Sequence, residues 1–357
     1  MNPNRPATTT HTLLNGFFLC AGLAVLALVV YFAVLANSDL AIGRFALFMD
    51  ERITFDGVRR TLHPAGLVDF IDSVLRGDDQ RYGRSLWNAI SFVSAIPERL
   101  FGDTGQIIAT RMLQVALIVT SYCIFAFGLI RSGFWRFVLL VPMLAMPFSD
   151  YFMTMPKPEP LQLLFLSVFA CFFVRRNAAL SWYWIFIGLA FGTKISTLPA
   201  LIVFVSIALA AKVHSTPFTE YKDALLKTGA FFALGVALAV PLLLWPLLLS
   251  AAGYLLVRWV SRRFALGLVP RIALLSTAAI VVVLASKKVL KIWIGSTFLN
   301  TTHGADQASI NAGSWLTYFF DTWLVAPRPV GLLLLVALLI YLAVHGVQVL
   351  RSGIRLD

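Results

Sequence analysis

Charged side chains are scarce in this sequence. Only 13% of the 357 residues are charged, 59% are hydrophobic, and the mean hydropathy is +0.83. A soluble domain has a charged fraction of about 25%, so the composition excludes a soluble protein and predicts an integral membrane protein. The apolar residues lie in long runs rather than in alternating segments of about ten residues, which favours helices over a membrane barrel. We therefore expect an all-α polytopic membrane protein.

Cysteine and histidine are also rare. The three cysteines, Cys20, Cys123 and Cys171, lie inside apolar runs. They predict small buried side chains, with neither a disulfide framework nor a metal site. None of the five histidines has metal-ligand spacing with another, and the sequence has no GxSxG, Walker, HExxH or glycine-rich dinucleotide motif. The enzyme classes that depend on those motifs are therefore excluded.

Acidic residues are fewer than basic ones, and the net charge is +12. The basic residues are spread among short loops, which is typical of cytoplasmic loops in a membrane protein and argues against a nucleic-acid partner. We expect a multi-pass protein of the bacterial inner (plasma) membrane. The loops that we place in the cytoplasm carry Arg131 with Arg136, Arg175 with Arg176, and Lys212 with Lys222 and Lys227.

The chain is expected to form one transmembrane domain over residues 13–350, between a polar, disordered N-terminus (1–12) and a C-terminal tail (351–357). Residues 36–106 form a long external loop, and residues 287–328 form a second polar loop. About eight or nine crossings fit the apolar runs, and the number after Lys227 is left open. The predicted helices cover about 13–35, 107–130, 137–149, 161–174, 182–192, 196–211, 229–250, 266–286 and 330–350.

The long external loop contains two short stretches with helical periodicity. Their apolar positions recur every three or four residues, which predicts helices that lie on the membrane surface. The first stretch holds Val68, Ile71, Val74 and Leu75, and the second holds Leu86, Ile90 and Val93.

An acidic pair, Asp50 and Glu51, follows the first apolar run. Ionised groups near a bilayer are costly unless they serve a purpose. One interpretation is a solvated pair beside the membrane. The functional alternative is a general base that takes the proton of an acceptor hydroxyl, or a carboxylate that holds Mg²⁺, Mn²⁺ or Ca²⁺.

A stiff loop precedes the predicted helix at 161–174. Its three prolines, at 156, 158 and 160, prevent a helix there and present Lys157 and Glu159 on a rigid support. The structural interpretation is a turn with charged tips. The functional one is a second carboxylate, which is also a candidate metal ligand with Asp50, and a cation beside it.

Three further polar groups are candidates for substrate binding. Lys194 lies between two apolar half-runs after Gly188 and Gly192. It either reaches the membrane surface or contacts a phosphate, and the glycines predict close helix packing. The stretch Arg81, Tyr82, Gly83 and Arg84 suits a phosphate or sugar. His303, in a polar loop, is either solvated or a contact for a sugar or acceptor.

In this order the motifs resemble the GT-C superfamily of membrane glycosyltransferases, which includes protein O-mannosyltransferases and the bacterial lipid A aminoarabinose transferases. The resemblance covers about residues 10–211. It implies transfer of a sugar from a polyprenyl-phosphate-linked donor to an unidentified acceptor on the extracytoplasmic side, with inversion and with Asp50 as base. The alternative is a transporter or flippase for a lipid-linked or anionic substrate. Charges that gather at helix ends, and the absence of an internal repeat, favour the enzyme.

Overall fold

The computed structural model describes residues 49–75, 84–130, 156–213 and 218–294, with the single positions 24, 27, 136 and 140. Every regular element in these ranges is helical, in agreement with the expected all-α class. The α-helices are α1 (Met49–Leu62), α2 (Leu67–Leu75), α3 (Ser85–Leu129), α4 (Glu159–Arg175), α5 (Trp184–Thr193), α6 (Leu198–Val213), α7 (Phe218–Ala239), α8 (Leu244–Arg263) and α9 (Leu268–Ile294). Short 3-10 helices cover Ile195–Thr197 and Pro241–Leu243.

Three of these helices are long and apolar enough to cross a membrane. They lie at Ser85–Leu129, Pro241–Arg263 and Leu268–Val289, the middle one including a 3-10 turn, and two shorter apolar helices cover Trp184–Thr193 and Ile195–Ala210. The total of eight or nine crossings stays a prediction. Of the predicted helix at 13–35, only Ala24 and Ala27 are described, both helical. The predicted N-terminus (1–12), most of the helix at 137–149, the helix at 330–350 and the tail lie outside the described residues.

Helix α3 consists of two helical segments joined at Gly102; the first contains the periodic stretch predicted at 86–93, and the second covers the helix predicted at 107–130, starting a few residues earlier. The helix contains Pro97, and it bends at Gly102, where φ is 62° and ψ is −147°. A left-handed φ with this ψ is accessible only to glycine at low cost. A Cβ at Gly105 would overlap the carbonyl oxygen of Pro97. These residues explain how the chain turns sharply and continues as a membrane-length helix.

The chain divides into two compact units, of which the first contains residues 1–54, 90–179 and 311–357. Its described part is built around α3 and α4. A Cβ at Gly128 would overlap the sulfur of Cys171, whose thiol donates to the carbonyl of Ile124 at 3.2 Å. A glycine at this position therefore permits α3 and α4 to pack closely. Cys171 is buried and Cys123 is half-buried, in line with the apolar runs in which they lie.

The second unit contains residues 55–89 and 180–310. Within it, α5 packs on α7, and α8 pairs with α9. Proline explains the break between α7 and α8: Pro241 cannot donate the backbone bond that would continue the helix. The sequence placed a helix at 229–250, whereas α7 begins eleven residues earlier, at Phe218.

Helices α1 and α2 form a hairpin within the second unit over residues 55–75. Arg60 donates from Nε and Nη2 to one oxygen of Asp69, at 3.2 and 3.0 Å, and its Nη2 lies 3.5 Å from Asp72. The backbone N–H of Ala65 donates to the other oxygen of Asp69 at 3.0 Å. This hydrogen bond, and then those from Arg60, lower the pKa of Asp69 below its usual value.

The opposite face of α2 is apolar and exposed. Val68 is 82% exposed, and Leu67, Phe70, Ile71 and Leu75 are exposed as well. The periodicity of residues 68–75 thus predicted a helix correctly. An exposed apolar face opposite paired charges is typical of a helix that lies in the membrane interface, although that location stays a prediction.

Candidate functional site

Glu159 opens α4 directly after Pro158, and Pro160 follows it in the first turn. Prolines are well tolerated at these positions because the first N–H groups of a helix have no partner inside it. A carboxylate in this turn also faces the positive end of the helix dipole. The helix thus begins at Glu159, inside the stretch that the sequence predicted to be non-helical through Pro160, and Lys157 precedes it. Glu159 is half-buried, and its Oε2 is shielded from solvent.

The same segment is attached to α3 through Gln114. The fully buried Gln114 donates from Nε2 to the carbonyl oxygen of Lys157 at 3.0 Å. Its Oε1 is buried and has no hydrogen-bond partner among the described residues. A buried acceptor left without a donor costs about 1–3 kcal/mol, and this one lies beside two charged candidates.

Gln114 belongs to a polar face of the membrane-spanning part of α3. Gln106, Thr110 and Gln114 recur every four residues and are all buried. Thr110 donates to the carbonyl of Gln106 at 2.7 Å, while the amide nitrogen Nε2 of Gln106 is buried with no partner among the described residues. Neutral amides offer both donors and acceptors, which suits a ligand rich in hydroxyl groups.

We missed this face when reading the sequence, because the search there was for charged residues. The signal was nevertheless present: polar residues at positions 106, 110 and 114 interrupt an apolar run with a period of four. Such a period places them on one side of a helix, and polar groups inside a membrane span are costly unless they have a partner.

In the second unit, Lys194 lies at the break between α5 and the following 3-10 helix. Its backbone is extended, with φ −156° and ψ 131°. Its N–H donates to Ala190 at 3.0 Å, and its carbonyl accepts from the backbone N–H and the hydroxyl of Thr197 at 3.2 and 3.0 Å. The half-buried lysine is thus presented by a well-bonded break in an apolar segment.

The glycines before Lys194 allow α5 and α7 to approach closely, as their spacing predicted. A Cβ at Gly188 would overlap the Phe232 carbonyl oxygen, and a Cβ at Gly192 would lie 2.7 Å from the Cβ of Ala239. On α7, a Cβ at Gly235 would overlap the Ile185 carbonyl oxygen. This glycine-mediated contact fixes the position of Lys194.

Arg84, predicted as a substrate contact, is bound within the protein. It is 3% exposed, donates to the carbonyl of Ser73 and lies 4.6 Å from the ring centroid of Trp87. Asn88 donates to the carbonyl of Val74 at 3.2 Å. Both bonds satisfy carbonyls in the last turn of α2, where a cation is also favoured by the helix dipole. Arg84 therefore anchors α2 to the beginning of α3.

The remaining candidates are only partly described. Asp50 and Glu51 lie in the first turn of α1, and their side chains are outside the described residues. Arg81, Tyr82 and His303 are outside them altogether. Glu159 and Lys157 belong to the first unit, while Arg84 and Lys194 belong to the second. Among the described residues, no group of three or more His, Cys, Asp or Glu side chains is arranged to hold a metal ion.

No protein-family model, curated protein or solved structure matches this chain. Its class therefore follows from the fold alone. Helices of membrane length and apolar composition define an α-helical membrane protein.

Proposed function

We propose that this protein is an integral-membrane glycosyltransferase. It would move a sugar from a polyprenyl-phosphate-linked donor to an acceptor on the extracytoplasmic side of the membrane, with inversion at the anomeric carbon. The proposal rests on the order of the motifs that resemble the GT-C superfamily, and on the polar face of α3 beside Glu159.

One observation carries the proposal furthest: Gln114 bonds the carbonyl of Lys157 and keeps a buried acceptor oxygen next to the segment that presents Glu159. A sugar hydroxyl is a donor that would satisfy this oxygen, and the amide of Gln106 would donate to another hydroxyl oxygen. A hydrophobic substrate would leave both amides unsatisfied, at a cost of about 1–3 kcal/mol each.

In the proposed reaction, the carboxylate of Asp50 takes the proton of the acceptor hydroxyl. The acceptor oxygen then bonds to the anomeric carbon as the bond from that carbon to the phosphate oxygen breaks, and the polyprenyl phosphate leaves. A general base contributes about 10²–10⁴-fold to such a step. Glu51 orients its neighbour.

Lys194, with Arg81 or Arg84, is the proposed contact for the donor phosphate. A charge-assisted hydrogen bond contributes about 1.5–3 kcal/mol. We therefore expect Lys194→Ala to weaken donor binding by about tenfold or more. Titration of a polyprenyl-phosphate sugar into protein in nanodiscs measures this, and an unchanged affinity would leave Lys194 with a structural role.

The enzyme hypothesis is tested by transfer of a labelled sugar in nanodiscs, with Glu159→Gln compared with Asp223→Asn. Asp223 is an exposed carboxylate on α7, so its neutral variant controls for loss of one negative charge. We expect Glu159→Gln to slow transfer while the control keeps parental turnover. Equal turnover in all three proteins would remove Glu159 from the site. Vectorial movement of the lipid-linked sugar without any transfer would instead favour the transporter alternative.

A further inference from the structure

Helices α8 and α9 form an antiparallel hairpin with an unusual charge composition. Residues 244–294 contain no acidic residue, and their seven basic residues are Arg258, Arg262, Arg263, Arg271, Lys287, Lys288 and Lys291. The proposed sugar transfer does not use this hairpin, and the resemblance to the GT-C superfamily does not extend to it.

The turn of the hairpin is well defined. Phe264 donates its N–H to the carbonyl of Val260 at 3.0 Å, and Leu266 donates to that of Ser261 at 3.1 Å. Between them Ala265 is left-handed, with φ 44°. This is a Schellman arrangement, which ends a helix and reverses the chain. Across the pair, a Cβ at Gly253 would lie 3.5 Å from that of Ala278, which fixes the antiparallel register.

The four arginines gather at the turn end of this hairpin, which we call the arginine tip (Arg258, Arg262, Arg263 and Arg271). Three lie in the last six residues of α8 and one in the first turn of α9. At 1.5 Å per residue they occupy a layer about 8 Å deep along the helix axes. Four like charges this close repel one another unless anions are nearby.

All four side chains are exposed, and none makes an ion pair or side-chain hydrogen bond to another described residue. The dipole of α8 favours Arg262 and Arg263 at its C-terminal end. It does not explain Arg271, which lies in the first turn of α9, where the dipole disfavours a cation. The cluster therefore has no partner within the described part of the chain that accounts for it.

The surroundings of the arginine tip are apolar and exposed. Trp259 and Phe264 are 63% and 66% exposed, and Leu268 and Val269 are exposed as well. Lys287 lies sixteen positions after Arg271, which is about 24 Å of helix and close to the thickness of the hydrocarbon layer. Aromatic and basic residues at the ends of an apolar segment of this length are typical of the membrane interface.

We propose that the arginine tip is a binding site for the headgroups of anionic phospholipids. The guanidinium groups would bond the headgroup phosphates, while the exposed apolar residues beside them contact the acyl chains. A free phosphate ion would bind the guanidinium groups but would leave the apolar residues beside them without a partner. A zwitterionic lipid brings no net negative charge to offset the repulsion among the arginines.

The test compares R262Q/R263Q with R175Q/R176Q. The second pair is also adjacent, exposed and at a helix C-terminus, but no other basic residue follows it until Lys194. Detergent-purified proteins are mixed with phosphatidylglycerol or phosphatidylcholine, and retained lipid is counted by native mass spectrometry. We expect R262Q/R263Q to lose at least about tenfold in phosphatidylglycerol affinity and R175Q/R176Q to lose much less.

The exposed positions let both variants fold, which thermal unfolding without lipid verifies. Equal losses from the two pairs would contradict the proposal, because the lipid would then respond to net charge alone. Equal retention of phosphatidylcholine and phosphatidylglycerol by the parent protein would contradict it too. Inorganic phosphate that displaces phosphatidylglycerol at millimolar concentration would show an ion site rather than a lipid site.

Discussion

Two helix pairs of the second unit differ in how they are stabilised. In the α5–α7 pair, Gly188 and Gly235 let one backbone touch the other, and most of α5 is buried. In the α8–α9 pair, Gly253 makes only an ordinary contact, and large side chains such as Leu255, Leu256 and Ile280 remain exposed.

The importance of close backbone contact in the α5–α7 pair follows from the properties of lipid as a solvent. In lipid, an apolar side chain gains little by moving from acyl chains to a neighbouring helix, so close backbone contact becomes the main source of association. The α5–α7 pair has that contact and therefore holds a functional candidate, Lys194, in place. The α8–α9 pair lacks it, and its apolar and basic surface is exposed.

The largest effect is expected from Gly188→Ala, which places a methyl group against the Phe232 carbonyl. The backbones must separate, and overpacking of this kind costs about 1–3 kcal/mol. Gly229→Ala is the matched control on α7, because a Cβ there has nothing within 4 Å, and alanine favours a helix by about 1 kcal/mol. Thermal unfolding in detergent measures both, and equal stabilities would show that α5 and α7 do not touch closely.

An effect of similar size is expected for the buried Arg84, in contrast to the exposed arginines of the arginine tip. Arg84→Gln removes the stacking on Trp87 and weakens the bond to the Ser73 carbonyl, at a cost of about 1–3 kcal/mol. Arg263→Gln should change stability by less than about 0.5 kcal/mol, because Arg263 is exposed. Unfolding of the two variants in lipid-free detergent checks this, and a tolerated Arg84→Gln would mean that Arg84 does not anchor α2.

The charge pair of the α1–α2 hairpin gives a pH-dependent contrast with the unpaired arginine tip. The pKa of Asp69 is lowered in the folded protein, so its pairing stabilises the hairpin above the unfolded pKa. This stabilisation is lost as the pH falls through the lowered value. The protection of α2 amides against hydrogen exchange, corrected for the intrinsic pH dependence of exchange, should therefore fall on acidification below about pH 4. In Asp69→Asn the loss of α2 protection on acidification should be smaller. If the variant and the parent show the same pH profile, Asp69 is not the cause of that loss.

The smallest effect is expected from Gly253→Ala in the hairpin. The new methyl group would lie 3.5 Å from Ala278, an ordinary van der Waals distance, and alanine favours the helix by up to about 1 kcal/mol. Stability should thus be unchanged or slightly raised, which the same unfolding assay measures. A loss as large as that of Gly188→Ala would end the distinction between the two pairs.

The parts of the fold that sequence predicted are those with a local signal. The period of Val68, Ile71 and Leu75 indicated α2, and Gly188 with Gly192 indicated the close α5–α7 contact. Both are confirmed. Such patterns depend only on neighbouring positions of one helix.

Other features depended on partners distant in sequence. The two segments of α3 were each predicted, at 86–93 and at 107–130, but the bend at Gly102 that joins them was not. Charged residues from Glu220 to Lys227 concealed the first turns of α7. Arg84 was predicted as a phosphate contact, and its hydrogen bond to the carbonyl of Ser73 could not be seen from sequence.

Sequence analysis named the charged residues of the candidate site but missed its neutral polar residues. Glu159 and Lys157 stood out because charge is rare here. Gln114 was overlooked, since a glutamine in an apolar run does not reveal whether its amide is bonded. The structure shows that Gln114 donates to the carbonyl of Lys157 and that its side-chain oxygen has no hydrogen-bond partner among the described residues.

The most direct test of the proposed function is the rate of sugar transfer by Asp50→Asn. The thermal stabilities of purified parent and variant are compared first. Both proteins are then placed in nanodiscs with a labelled polyprenyl-phosphate sugar and candidate acceptors. Loss of a general base predicts a rate lower by about 10²–10⁴-fold with unchanged stability, and Glu51→Gln should slow transfer less. Near-parental turnover of Asp50→Asn would contradict the catalytic assignment.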